Sequence, residues 1–291
     1  MIAAGIEYDM AGTGPQVLCL HGIGGGIDSF RPQMDAAVAN PGSGSVSRNE
    51  TRAGTRDKSG IARRDSPSPA LEGFQILAWN MPGYGASTAE VWPPGFAYLS
   101  AALGDFIASI GHETVHLVGQ SLGGMLALEH ALRRPEQVSS MVLIGTTPSF
   151  GGRDNSFGDA FLKARLAPLD AGVGMADMAK AEAPGLVGPA ASPEVIRCIE
   201  TLLAAVTEET WRGILRCLVT FNRRNDLNRV AQPCCLIAGT HDRNAPARTM
   251  KWMAEKLPSA ELHVVENAGH MINQEDPEQT NAIIGKFLRK G

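Results

Sequence analysis

Six short apolar runs, each followed by a turn of small residues, and intervening stretches of helical period predict an α/β protein with a doubly wound, mostly parallel sheet. The runs are continuous rather than alternating. A strand that is apolar on both sides is buried on both sides, as in a parallel sheet between two helix layers. Of 291 residues, 44% are apolar and 19% charged, so the chain can bury the core such a fold needs, and disorder over its whole length is excluded.

The first run is Val17-Leu18-Cys19-Leu20, and the glycine-rich stretch His21-Gly22-Ile23-Gly24-Gly25-Gly26 follows it. Asp28-Ser29-Phe30-Arg31-Pro32-Gln33 begins the first helix. The second run is Gln75–Trp79 and the third Val115–Val118. Residues 122–134 then read as a helix closed by Pro135, which has no N–H to continue the ladder. The fourth run is Met141–Ile144 and the fifth Cys234–Ala238, with a helix over 247–257 behind it. The sixth run is Leu262–Val265. A last helix over 277–289 opens on Pro277, in the first turn where a missing N–H costs nothing.

Two stretches break this alternation. Residues 41–70 hold six Ser, four Gly and three Pro, with Val46 and Ile61 as the large apolar side chains, and cannot offset ordering entropy by burial. They are expected to be a disordered insertion in the core, solvated rather than nucleic-acid-binding, since no aromatic residue interleaves the charges. Residues 150–225 carry no strand run. Ser192 before Pro193 is an N-cap followed by a first-turn proline, and Thr207-Glu208-Glu209 places acids in another first turn. We expect four short helices here, inserted at the carboxyl ends of the strands where ligands bind such sheets. The expected organisation is thus a core over 1–149 and 226–291, a helical cap over 150–225 and the 41–70 insertion.

The net charge of −4 carries no nucleic-acid or anionic-membrane footprint, and no run approaches the ~18 apolar residues of a membrane helix. Met1-Ile2-Ala3-Ala4-Gly5-Ile6-Glu7 has no basic residue ahead of an apolar stretch, so a cytoplasmic location is expected. Five cysteines, with Cys234 and Cys235 adjacent, fit neither a disulfide framework nor a zinc spacing and read as reduced core thiols.

Gly119-Gln120-Ser121-Leu122-Gly123 sits between a strand and a helix, the context in which small residues let a serine stand on a tight turn with its hydroxyl exposed. A serine hydroxyl is a weak nucleophile and needs a base oriented by a third group. Asp242, in Ala238-Gly239-Thr240-His241-Asp242, and His270, in Asn267-Ala268-Gly269-His270, each follow a strand at the same sheet edge. The position after Met141–Ile144 reads Gly145-Thr146-Thr147-Pro148-Ser149 and offers no carboxylate. The predicted catalytic residues are therefore Ser121, His270 and Asp242. The amides of Leu122 and Ile23, with Gly24 as fallback, are the expected oxyanion donors. Among the other histidines, His116 and His263 lie inside strands and read as packed core residues, His112 and His130 lie on a loop and a helix, and His241 precedes the acid. Arg165, Trp211, Met175 and Met178 are candidates for a pocket wall, although Met and Trp at helical spacing serve a core more often.

These residues resemble the α/β-hydrolase superfamily over nearly the whole chain apart from 41–70. Ala268-Gly269-His270-Met271-Ile272-Asn273-Gln274-Glu275-Asp276-Pro277-Glu278 is similar to the histidine loop of 3-oxoadipate enol-lactonases, and carboxylesterase-like members are close in pattern. Trp79-Asn80-Met81-Pro82-Gly83-Tyr84-Gly85 resembles the superfamily's D-x-P-G-x-G turn, with Asn80 in place of the usual aspartate and Pro82 in place of the arginine common in enol-lactonases. The expected activity is hydrolysis of a small-molecule carboxylic ester or lactone through an acyl-enzyme, with no cofactor and no metal. The alternatives are carbon–carbon hydrolysis of meta-ring-cleavage products, whose enzymes usually carry an aromatic residue after the histidine where this chain has Met271, and a non-catalytic receptor on the same fold. No feature of the sequence sets an oligomeric state.

Overall fold

The computed structural model describes residues 1–38, 70–150 and 156–290. The expected insertion at 41–70 falls, apart from Ala70, outside the described residues.

Eight strands form one sheet: β1 (Ile2–Ala3), β2 (Ile6–Gly12), β3 (Gln16–Leu20), β4 (Gln75–Trp79), β5 (Val115–Gln120), β6 (Val138–Ile144), β7 (Cys234–Gly239) and β8 (Ala260–Val265). Their order across the sheet is β1-β2-β4-β3-β5-β6-β7-β8; β1 and β2 run antiparallel to their neighbours and the rest pair in parallel. The six runs read from sequence are the six parallel strands, most of them extended by one to three residues. Side chains alternate between two apolar layers, as the period of a strand requires. Leu18, Leu77, Leu117 and Leu143 face one layer, with α2 (Phe96–Ser109), α3 (Leu122–Arg133) and α8 (Ala247–Lys256). Val17, Ile76, Val118, Val142 and Ile237 face the other, with α1 (Arg31–Asp35) and α10 (Pro277–Leu288).

Between β6 and β7 lie α4 (Ser156–Asp170), α5 (Met175–Leu186), α6 (Pro193–Ala205) and α7 (Glu208–Leu218). Two of these begin on side-chain caps: Ser192 accepts from the Val195 amide and Thr207 from the Thr210 amide. The short α9 (Ile272–Glu275) follows the histidine loop. Among the described residues no helix is long and apolar enough to cross a membrane.

Three sequence expectations need correction. The first helix does not start at Asp28: Ile27–Phe30 is a 3-10 turn and α1 begins at Arg31, with Pro32 in its first turn. His263 is not a core residue; it lies on the outermost strand, half-buried, beside the Glu261 carboxylate, and His116 is likewise half-buried, 2.8 Å from the Ser140 hydroxyl. Four cysteines are buried free thiols, but Cys198 is exposed on α6.

Candidate active site

The site starts from the turn between β5 and α3. Ser121 has φ 54° and ψ −117°, left-handed backbone that an L side chain adopts at a cost. The turn is tight enough that a Cβ on Gly119 would strike the Gly123 carbonyl, and one on Gly123 would strike the Leu20 carbonyl of the next strand. Both glycines are therefore required by close approach. The Ser121 amide donates to the Ile144 carbonyl at 2.9 Å, and the Thr146 hydroxyl donates to the Ser121 carbonyl at 2.7 Å, so β6 and the turn after it hold the strained residue.

Ser121, Asp242 and His270 come together although they stand far apart in sequence. The Ser121 hydroxyl lies 2.9 Å from His270 Nε2, and His270 Nδ1 lies 2.8 Å from Asp242 Oδ2. With the carboxylate as acceptor, Nδ1 carries the proton and Nε2 presents a lone pair to the hydroxyl. Asp242 Oδ1 accepts from the amides of Asn244 and Ala245 at 2.8 and 2.9 Å. Burial alone pushes the Asp242 carboxyl up, but His270 and these two amides outweigh it and hold the group below the usual carboxylate range. Gly145 stands at the alternative acid position, where a Cβ would lie 3.1 Å from Asp242 Oδ2 and 3.4 Å from His270 Nδ1. Its missing side chain leaves room for the pair.

The residues that fix the His270 backbone carry no role predicted from the sequence. The His270 amide donates to the Leu186 carbonyl of α5 at 2.7 Å, and Gln120 Nε2 donates to the His270 carbonyl at 3.0 Å. The Glu275 carboxylate accepts from the amides of Gly269 and Met271 at 2.9–3.0 Å and from that of Gly188 at 2.6 Å. It thus fastens the histidine loop to the α5–α6 connection. Glu275 lies in the quoted loop motif, but its partners are distant in the chain and nothing local marks them.

A cavity of about 350 Å³ opens over Ser121 and His270. Its wall is mainly apolar, with Ile23 and Met125 from the core and Phe161, Leu203 and Trp211 from the inserted helices. Of the four candidate wall residues Arg165 and Trp211 line it, while Met178 is packed in the core. Arg165 pairs with Glu182 across α4 and α5. Of the expected oxyanion donors, Leu122 begins α3, where the first-turn amides have no partner within the helix. Ile23 follows Gly22, on which a Cβ would come within 3.1 Å of Ser121 Cβ, whereas Gly24 faces Leu203. Both Ile23 and Gly24 line the cavity over Ser121. Among the described residues, Cys235, Glu261 and His263 form a group of metal-type donors within 4.8 Å of one another; it lies on β7 and β8, and Glu261 already contacts Lys290 and His263.

A family profile described as the alpha/beta hydrolase family matches residues 17–283. The chain is 30% identical over 231 residues to a putative carbamate hydrolase RutD of Pseudomonas savastanoi pv. phaseolicola, covering 73% of this chain and 83% of that protein. It is 29% identical to a pimeloyl-[acyl-carrier protein] methyl ester esterase of Nitrosomonas europaea, covering 71% and 82%. The enol-lactonase structure from Burkholderia xenovorans LB400 superposes with a TM-score of 0.78 at 17% identity, over 98% of this chain and 96% of that one.

Proposed function

Because the chain belongs to the alpha/beta hydrolase family, we propose that it is a serine hydrolase opening a carboxylic ester or lactone through an acyl-enzyme on Ser121. The observation that carries this reading is the unbroken hydrogen-bonded line from the Ser121 hydroxyl through His270 to the buried Asp242, placed on the wall of an apolar cavity. His270 Nε2 takes the hydroxyl proton as Ser121 Oγ bonds to the substrate carbonyl carbon. The carbonyl oxygen gains the electron pair and is held by the amides of Ile23 and Leu122. Collapse of the adduct expels the alcohol oxygen, which takes the proton from His270. Water then repeats the sequence on the acyl-enzyme, with His270 again accepting and returning a proton, and releases the acid. Asp242 keeps the imidazole in the required tautomer and stabilises its cation. Every proton-transfer and charge-stabilising role in this sequence falls to a protein group.

The relatives named as carbamate hydrolases support a second substrate, since a carbamate offers the same carbonyl to the same groups. The test is a rate panel of short and long nitrophenyl esters, enol-lactones, nitrophenyl carbamates and chromogenic ring-cleavage dienes. Turnover of esters or lactones above the other two classes is the expected result. A preference for the dienes would move the assignment to carbon–carbon hydrolysis, and binding without turnover to a receptor.

A further inference from the structure

We propose that Tyr84 is a positioning residue of the oxyanion site, working with His21 to aim the free amides of the loop after β3; the assignment rests on the serine-hydrolase reading. In that loop the amides divide into two sets. Gly25 N–H donates to the Gly22 carbonyl, Gly26 N–H to the Ser29 hydroxyl and Ile27 N–H to Asn80 Oδ1, at 3.0–3.1 Å. Among the described residues the amides of Ile23 and Gly24 have no partner.

In a trans peptide the N–H points opposite to the carbonyl of the preceding residue. Whatever holds the carbonyls of Gly22 and Ile23 therefore aims the amides of Ile23 and Gly24. His21 Nδ1 donates to the Gly22 carbonyl at 2.7 Å, and the Tyr84 hydroxyl donates to the Ile23 carbonyl at 2.5 Å. Both side chains are buried behind the loop, at 0% and 3% exposure, with their rings edge to face at 4.6 Å. The opposite side of the loop lines the cavity and faces Ser121.

Each donor has a fixed role. His21 Nε2 accepts from the Met81 amide at 3.0 Å, so its proton must sit on Nδ1. Burial supports that state by pushing the imidazole pKa down to about 4. Tyr84 is anchored by its own turn, in which its amide donates to the Met81 carbonyl and its carbonyl accepts from the Ser87 amide, both at 2.9 Å. Burial pushes the phenol far above its ordinary pKa, so it remains a donor at any working pH. His21 at the start of the loop and Tyr84 on the turn after β4 thus present two neutral donors to two successive carbonyls, and the same turn seats His21 through the Met81 amide. In the sequence this turn stands out for Asn80 and Pro82, and no local signal marks Tyr84.

The test is Tyr84→Phe, which removes one hydroxyl and keeps the ring. Steady-state rates on a nitrophenyl ester, normalised by phosphonate active-site titration, are measured beside inhibition by a trifluoromethyl ketone and its methyl ketone analogue. The fluoroketone forms a tetrahedral adduct with an oxyanion; the methyl ketone reports ground-state binding. We expect kcat to fall about 10- to 100-fold, less than or near the loss of a whole oxyanion donor. KM and methyl ketone binding should stay within about twofold, and fluoroketone affinity should fall in step with kcat. Replacement of Tyr84 by 4-aminophenylalanine, which keeps a donor, should restore much of the loss. Wild-type kcat and fluoroketone affinity in Tyr84→Phe would overturn the assignment alone, as would an equal loss of both ketones. A wild type that neither turns over the ester nor prefers the fluoroketone would overturn the serine-hydrolase reading together with it.

Discussion

Acidification from pH 7 to 5 is expected to remove about 4 kcal/mol of folding stability through two buried histidines, His21 and His130. Both are fully buried, and burial pushes each imidazole down to about 4, against 6.5 in the unfolded chain. His130 sits in the core with Nδ1 at 3.1 Å from the Ser100 carbonyl and 3.0 Å from its hydroxyl, and a charge placed there gives up its hydration; protonation of His21 Nε2 would set an N–H against the Met81 amide. Between about pH 4 and 6.5 the unfolded chain holds more protons than the folded one. The stability is complete above that window and is lost as the pH falls through it. Integration from pH 7 to 5 gives about 2 kcal/mol for each histidine, a large share of the ~5–15 kcal/mol typical of a domain. His116, also pushed down by burial, acts in the same direction. Glu7, Glu129, Asp242 and Glu261, held low by their partners, act below about pH 4.5, outside the interval. The assay is urea unfolding at pH 7, 6 and 5 at constant ionic strength, with His130→Gln beside the wild type. A loss below about 1 kcal/mol, or a variant whose pH dependence matches the wild type, would show that the two imidazoles do not carry the acid sensitivity.

Two further outcomes are expected. Ser121→Ala, His270→Ala and their double variant should each lose on the order of 10³–10⁶ in kcat, because the two act as one unit; multiplicative losses in the double variant would contradict a shared step. Glu275→Ala strands the amides of Gly188, Gly269 and Met271 and should cost about 2–4 kcal/mol of stability by thermal or urea unfolding, with kcat falling as His270 loses its mooring.

The parallel sheet was legible because its inner strands are covered on both faces and read as unbroken apolar runs; edge strand β8, with His263 half-buried and Val264 exposed, was read from Leu262, Val264 and Val265. The β1–β2 hairpin was not, since β2 (Ile-Glu-Tyr-Asp-Met-Ala-Gly) is mostly half-buried and alternates apolar Ile6, Tyr8 and Met10 with charged Glu7 and Asp9, so it forms no continuous apolar run. Helix α2 was missed for another reason: it starts on Gly95 with no side-chain cap and carries Gly104 in its middle, so no start signal announces it, although its buried residues follow a helical stripe. At the site, Ser121, Asp242 and His270 could be read because each follows a strand and the sheet carries strand ends to one edge. The residues that hold them could not. Gln120 reaches His270 across 150 positions, Tyr84 reaches Ile23 across 61 and Glu275 reaches Gly188 across 87. Such partners are set by how the loops meet, and the sequence holds no local record of that.

The chemistry proposed for Ser121 is covalent, and reaction with a nitrophenyl phosphonate followed by peptide mapping in a mass spectrometer tests it at the nucleophile itself. One equivalent of label on Ser121, appearing in step with loss of ester turnover and strongly slowed in His270→Ala, is the predicted result. Label on any other residue at full inactivation, or full turnover by a protein quantitatively modified at Ser121, would contradict it.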